Sequence, residues 1–230
     1  MTLSLAYGGL ILGVVAWFIL ARKMSARSWE ASPLPEGPSA SEEDNRPQTA
    51  KVGLWVFLGV ITSLFSLFIS AYYMRMGQGH GALQDWQALS EPKVLWLNTF
   101  VLLASSMVMQ WARSCVRRGY KKQTRDGLLL GALLTLAFIA GQLYAWRQVV
   151  PAATDGWFLR DPALSFFYLL TAVHGLHLLG GLYVCGRTLL RLQTQALEAI
   201  DVRLSVELCT TYWHYLLLVW LVLFGLLLST

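Results

Sequence analysis

Charge is scarce in this sequence. Of 230 residues only 13% are Asp, Glu, Lys or Arg, against roughly a quarter in a soluble globular domain, while 56% are hydrophobic. That balance excludes a water-soluble domain. Cysteine is nearly absent too. Cys115, Cys185 and Cys209 are odd in number and show no CxxC spacing, which gives neither a disulfide framework nor a zinc knuckle. They read as reduced, buried or interfacial thiols. There is no P-loop, no GxGxxG and no Ser–His–Asp set, so nucleotidase, dehydrogenase and soluble-type hydrolase chemistry find no support. The net charge of +5 comes without an RNP motif, a zinc finger or a basic helix with interleaved aromatics, so no nucleic-acid partner is expected.

What the chain does have is long apolar runs. Met1–Ala21, Val52–Met74, Val94–Ala112, Gly127–Trp146, Leu164–Gly186 and Cys209–Leu228 are each close to the ~20 residues that cross ~30 Å of hydrocarbon as a helix. The expected fold class is all-α, a polytopic transmembrane helix bundle of six spans. Residues 1–22 form an extra N-terminal transmembrane helix, which lacks the basic leading region of a secretory signal. Residues 23–50, with Pro33, Pro35, Pro38, Pro47 and the acidic run Glu42–Asp44, read as an extended linker. Residues 51–230 form a five-helix bundle. Its short loops make sequential helices antiparallel neighbours.

Lysine and arginine fall unevenly between the spans. Arg22, Lys23, Arg27, Arg46 and Lys51, then Arg113, Arg117, Arg118, Lys121, Lys122 and Arg125, then Arg187, Arg191 and Arg203 lie on one side. Arg75, Lys93, Arg147 and Arg160 lie on the other. The positive-inside rule makes the first set cytoplasmic and puts both termini outside. Small pairs at four-residue spacing, Gly127 with Gly131, Ser66 with Ser70 and Ala137 with Gly141, suit close helix approach in lipid. His80, in a Gly-rich stretch, reads as a solvated loop residue.

The membrane polar groups concentrate near the C-terminus. Glu207 and His214 are seven residues apart and share a helix face. His174 and His177 share a face of the preceding span, with Gly175 and the Gly180–Gly181 pair allowing a neighbour to approach closely. Ionisable groups at this depth face protein. Three imidazoles and one carboxylate could hold zinc, copper or iron, although helix-borne di-iron sites use more carboxylates. They could form a proton or ion path. The favoured reading is an interhelical polar network of His174, His177, Glu207 and His214, with no catalytic or metal-ligating residue in the chain.

FFYLLTAVHGLHLLGG at Phe166–Gly181 and ELCTTYWHYLLLVW at Glu207–Trp220 resemble subunit III of cytochrome c oxidase. KVGLWVFLG at Lys51–Gly59, LNTFVLLASS at Leu97–Ser106 and GQLYAW at Gly141–Trp146 extend the resemblance. The matching motif residues are Trp55, Asn98, Thr99, Gln142, Tyr168, Thr171, Gly175, Tyr212, Trp213 and Trp220. The resemblance covers Lys51 to the C-terminus in the short five-helix bacterial form. It implies a subunit of a haem–copper terminal oxidase in a bacterial plasma membrane, where oxygen reduction is coupled to proton translocation. It also implies haem and copper in the partner subunits I and II and none in this chain, a bound phospholipid, and help with proton uptake. Three acids that the family often carries are missing: Ile61, Ala145 and Leu217 stand in their places, so a role of those acids in proton delivery does not carry over. The accessory subunit of a nitric oxide reductase and that of a quinol oxidase share the pattern. A stand-alone transporter would need a polar path, and no acid lies between Val52 and Met74.

Overall fold

The computed structural model describes residues 40–79, 94–149, 162–194 and 200–228, with the turn 118–120. These residues form five helices: α1 (Ala40–Gly79), α2 (Val94–Arg117), α3 (Lys121–Val149), α4 (Pro162–Thr194) and α5 (Ile200–Leu228). All five are long and apolar enough to cross a membrane, over stretches of 24 to 32 residues. The all-α, multi-span expectation holds for these helices. The N-terminal span at Met1–Ala21, most of the linker and His80 lie outside the described residues.

One boundary moves. The stretch Ala40–Ala50, assigned to an extended linker, is already helical. A composition too polar to bury a core does not preclude helix, because Ala and Glu propagate one well.

The chain divides into two units, residues 1–71 and 72–230. Within the first, Leu58, Ile61 and Phe65 are buried at three- and four-residue spacing, and Trp55 is half-buried. In the second, α2 packs on α3, α3 on α4, α4 on α5, and α5 closes back on α2. Tyr72, in the last part of α1, belongs to this unit and meets the ring of Phe166 edge-on at 5.6 Å.

The four-helix unit buries small and polar side chains among its apolar ones and turns further apolar side chains outward. On α2 the buried line runs Leu95, Asn98, Thr99, Leu102, Ser105, Ser106, Met109 and Ala112, whereas Trp96, Leu97, Phe100, Met107 and Trp111 are exposed. Lipid takes the apolar side chains, so hydrogen bonds and close packing must hold the helices together.

Close packing is clearest between α2 and α3. Arg118–Tyr120 connects them. Gly119, at φ 82°, occupies the left-handed position that favours glycine. Its N–H donates to Val116 O at 3.2 Å and that of Tyr120 to Cys115 O at 3.0 Å, closing the α2 C-terminus as a Schellman motif. Beyond the turn a Cβ on Gly127 would stand 2.8 Å from Ala112 Cβ, and one on Gly131 2.8 Å from Met109 Cε. The Gly127–Gly131 pair is a contact surface for α2.

Candidate functional site

Three indole N–H groups tie the helices, each to a threonine hydroxyl on another one. Trp220 Nε1 on α5 donates to Thr99 Oγ1 on α2 at 3.0 Å. Trp213 Nε1 donates to Thr135 Oγ1 on α3 at 3.0 Å and reaches Ser105 Oγ on α2 at 3.2 Å. Trp146 Nε1 on α3 donates to Thr171 Oγ1 on α4 at 3.0 Å. Each threonine hydroxyl in turn contacts a carbonyl one turn back on its own helix. A buried indole needs such a partner, since its unpaired N–H would cost far more than the bond contributes. Ser105 Oγ also lies 2.9 Å from both Gly131 O and Thr135 Oγ1, which makes the Trp213 node a three-helix junction.

Tyrosine hydroxyls continue the lattice to main chain. Tyr168 donates to Trp146 O and Tyr212 to His177 O, both at 3.0 Å. Asn98 lies close to α3, with Nδ2 3.5 Å from Phe138 O, and a Cβ on Gly141 would fall 2.0 Å from its Oδ1. Motif residues that the sequence offers as single markers therefore form pairs: Thr99 with Trp220, Thr171 with Trp146. Of the two hydroxyls that join Trp213, Ser105 lies in the LNTFVLLASS segment, whereas Thr135 escapes a sequence reading because threonine is common in such helices. The small residues facing Trp213 were the available signal.

The four polar residues expected to form one network divide into two places. Glu207 and His214 share a face, as their spacing requires, but that face meets α2. Glu207 Oε1 accepts from Arg117 Nη2 at 2.7 Å and Nε at 2.9 Å, with Arg113 Nε 4.0 Å away. His214 Nε2 donates to Gln110 Oε1 at 3.1 Å, which leaves Nδ1 to accept from Ser106 Oγ. The expectation that Glu207 and His214 fasten α5 to the histidines of α4 is thus corrected: they fasten α5 to α2. Helical period identifies the shared face and says nothing of which helix it meets.

His174 and His177 remain on α4. His174 is buried against aromatic rings, its centroid 5.3 Å from Trp220 and 6.0 Å from Phe138. His177 Nδ1–H donates to Val173 O at 2.7 Å. Among the described residues no three His, Cys, Asp or Glu side chains converge on a point that could hold a metal ion. Of the α4 glycines, Gly181 meets α5: a Cβ there would stand 2.9 Å from Tyr212 Cε1. Gly175 and Gly180 have nothing within 4 Å and do not serve the close approach read from the sequence.

The positions of the missing acids are informative. Ile61 and Ala145 are buried and Leu217 is half-buried. Gln142 is 5% exposed, and neither polar atom of its amide has a hydrogen-bond partner among the described residues. Residue 145 is one turn along the same face. Alanine there provides no acceptor, and the amide stays unsatisfied.

The sequence model of the family described as Cytochrome c oxidase subunit III matches residues 48–228. "Cytochrome c oxidase subunit 3" of Synechocystis is 26% identical over 182 residues, 77% of this chain and 74% of that protein. "Probable cytochrome c oxidase subunit 3" of Mycobacterium leprae is 30% identical over 185 residues, 78% of this chain and 87% of its own length. "Quinol oxidase subunit 3" of Bacillus subtilis is 29% identical over 175 residues, 75% of this chain and 83% of that protein.

Proposed function

Because the chain belongs to the cytochrome c oxidase subunit III family, we propose that it serves as the non-catalytic third subunit of a haem–copper terminal oxidase in respiratory electron transport. The observation that carries this reading is a coincidence of extent. The family match over 48–228 contains the whole tryptophan–threonine lattice, and the motif residues Thr99, Thr171, Trp213 and Trp220 take part in it. The chain's own chemistry is cohesion of helices. Oxygen reduction and proton translocation belong to the assembly, with haem and copper held by its catalytic subunits I and II.

A bound phospholipid and the docking of subunit I fit the apolar outer face. Gly175 and Gly180 on α4, flanked by exposed Leu176, Leu179 and Tyr183, offer a shallow surface for an acyl chain or a neighbouring helix. The ends of α2 and α4 and the starts of α3 and α5 carry Arg113, Arg117, Lys121, Lys122, Arg187, Arg191 and Arg203. The positive-inside rule makes that end cytoplasmic, with the C-terminus outside. The N-terminal helix and its linker add a sixth span to this scheme, with the N-terminus outside and the linker cytoplasmic, in a bacterial plasma membrane.

A tagged chain extracted in mild detergent should bring haem absorption bands with it, in fixed ratio to the chain. Absence of haem under conditions that preserve membrane complexes would overturn the proposal. The relatives described above are oxidases of cytochrome c or quinol, which favours an oxidase over a nitric oxide reductase. The Bacillus subtilis relative makes quinol a second candidate electron donor, and turnover of the purified complex with each donor decides between them.

A further inference from the structure

Cys185 on α4 and Cys209 on α5 are buried, 0% and 2% exposed. Their place follows from the register of the two antiparallel helices. On one side of them Gly181 faces Tyr212 and Trp213, where a Cβ would stand 2.9 and 3.1 Å from the two rings. On the other, Arg191 Nη1 reaches Ser205 Oγ at 3.4 Å. Along this stretch the buried residues of α4 run Gly181, Cys185, Thr188, Leu192; on α5 Trp213, Cys209, Val206 and Val202 form the matching series, beside buried Tyr212 and a buried Thr210 that contacts Met109 O on α2. Both series step by four, three and four. The register therefore sets Cys185 opposite Cys209 in the α4–α5 seam. Cys185 Sγ also approaches Leu128 O at 3.9 Å.

We propose that Cys185 and Cys209 form a peroxide-responsive thiol pair whose oxidation fastens α4 to α5 with a disulfide. Buried positions that face one another across two packed helices meet the first requirement for a bridge, which is that the two side chains can approach. Their burial selects the oxidant. A bulky disulfide such as oxidised glutathione cannot reach sulfur in this seam, whereas hydrogen peroxide is small and neutral. One sulfur attacks the peroxide O–O bond, loses its proton and becomes a sulfenic acid, with one water released. The second sulfur displaces the hydroxyl, loses its proton and completes the S–S bond, with the second water released. Two electrons pass from the sulfur pair to the peroxide. The bond would lock the turn of α5 just before Tyr212, Trp213 and His214, the residues that reach three neighbouring helices. Cys115 supplies an internal control, since it lies on α2 with Sγ 3.6 Å from Gln123 Oε1.

The test uses membranes containing the full chain, treated with hydrogen peroxide, denatured and alkylated with a maleimide. Alkylated thiols should fall from three to one, the survivor being Cys115. Digestion should yield a Cys185–Cys209 linked peptide two hydrogens lighter than its parts, and dithiothreitol should restore all three thiols. C115S should fall from two thiols to none, and C185S should keep both of its own. If C185S does not accumulate, C209A serves in its place, and the wild-type peptide map decides independently of either. Three thiols that survive peroxide, a bridge that includes Cys115, or a loss that dithiothreitol does not reverse would each overturn the proposal. None of these readouts depends on the oxidase reading.

Discussion

Arg117 holds Glu207 by two of its guanidinium nitrogens, Nη2 at 2.7 Å and Nε at 2.9 Å from the same carboxylate oxygen. The contact joins the last turn of α2 to α5. It is half exposed, with side-chain accessibility of 59% for Arg117 and 25% for Glu207, so its strength is that of a screened pair. Glu207→Gln should lower the thermal stability of the isolated chain in detergent by about 1 kcal/mol or less, and the loss should shrink as salt is raised. Thermal unfolding at two ionic strengths checks this. A loss of several kcal/mol that salt does not change would show that the carboxylate holds something deeper than Arg117. Co-purification of the same variant with haem reads any further effect on assembly.

The Trp213 node should behave as one unit. Trp213→Phe removes the donor from Thr135 and Ser105, and Thr135→Val removes an acceptor while keeping shape. Each single change should destabilise by about 1 kcal/mol, and the double variant by less than the sum, with a coupling of roughly 0.5–1.7 kcal/mol. Unfolding in mixed micelles measures the cycle. Full additivity would mean that the indole gains nothing from the hydroxyl.

Two glycines should respond in opposite ways to alanine. Gly141→Ala drives a methyl into Asn98 Oδ1, 2.0 Å from where Cβ would lie, so Asn98 or the α2–α3 spacing must yield. The expected loss is about 1–3 kcal/mol, partly recovered by adding Asn98→Ala. Gly175→Ala meets nothing within 4 Å and removes a helix-interior glycine, so it should be neutral or stabilising by up to ~1 kcal/mol in the isolated chain. Thermal scans of both variants provide the comparison.

Gln142 should be better replaced. Its buried amide has no hydrogen-bond partner among the described residues, and an unsatisfied group of that kind costs about 1–3 kcal/mol. Gln142→Leu should therefore raise the unfolding temperature. A lower unfolding temperature would show that the amide is satisfied by something bound in the bundle. Ala145→Glu would test the geometry from the other side. The position is fully buried, so the acid should destabilise unless Gln142 accepts its proton in a hydrogen bond.

Much of this was readable from residues alone, and the boundary has a physical cause. The apolar runs mark the spans because hydrocarbon thickness sets their length, and α2 to α5 each lie where a run lies. Seven-residue spacing put Glu207 and His214 on one face. That the face meets α2 and not α4 is not legible, because the decisive groups, Gln110, Arg113 and Arg117, look in sequence like the charged flank of a span. Ala40–Ala50 turned out helical because composition reports on burial and only weakly on local backbone. Gly175 and Gly181 looked equivalent in sequence, and only the packing of Tyr212 on Gly181 separates them. Gln142 was visible as a motif residue, but its unpaired state depends on what Ala145 does not provide.

The turn at Arg118–Tyr120 carries a mechanical consequence. A Schellman motif closes α2 at Gly119, and α3 starts at Lys121, so the connection holds no slack. Sliding α2 past α3 by one helical turn, ~5.4 Å, would require unwinding one of the two ends. Axial displacement of one helix is therefore passed to the other through the chain itself, at the end where Arg118–Tyr120 joins them.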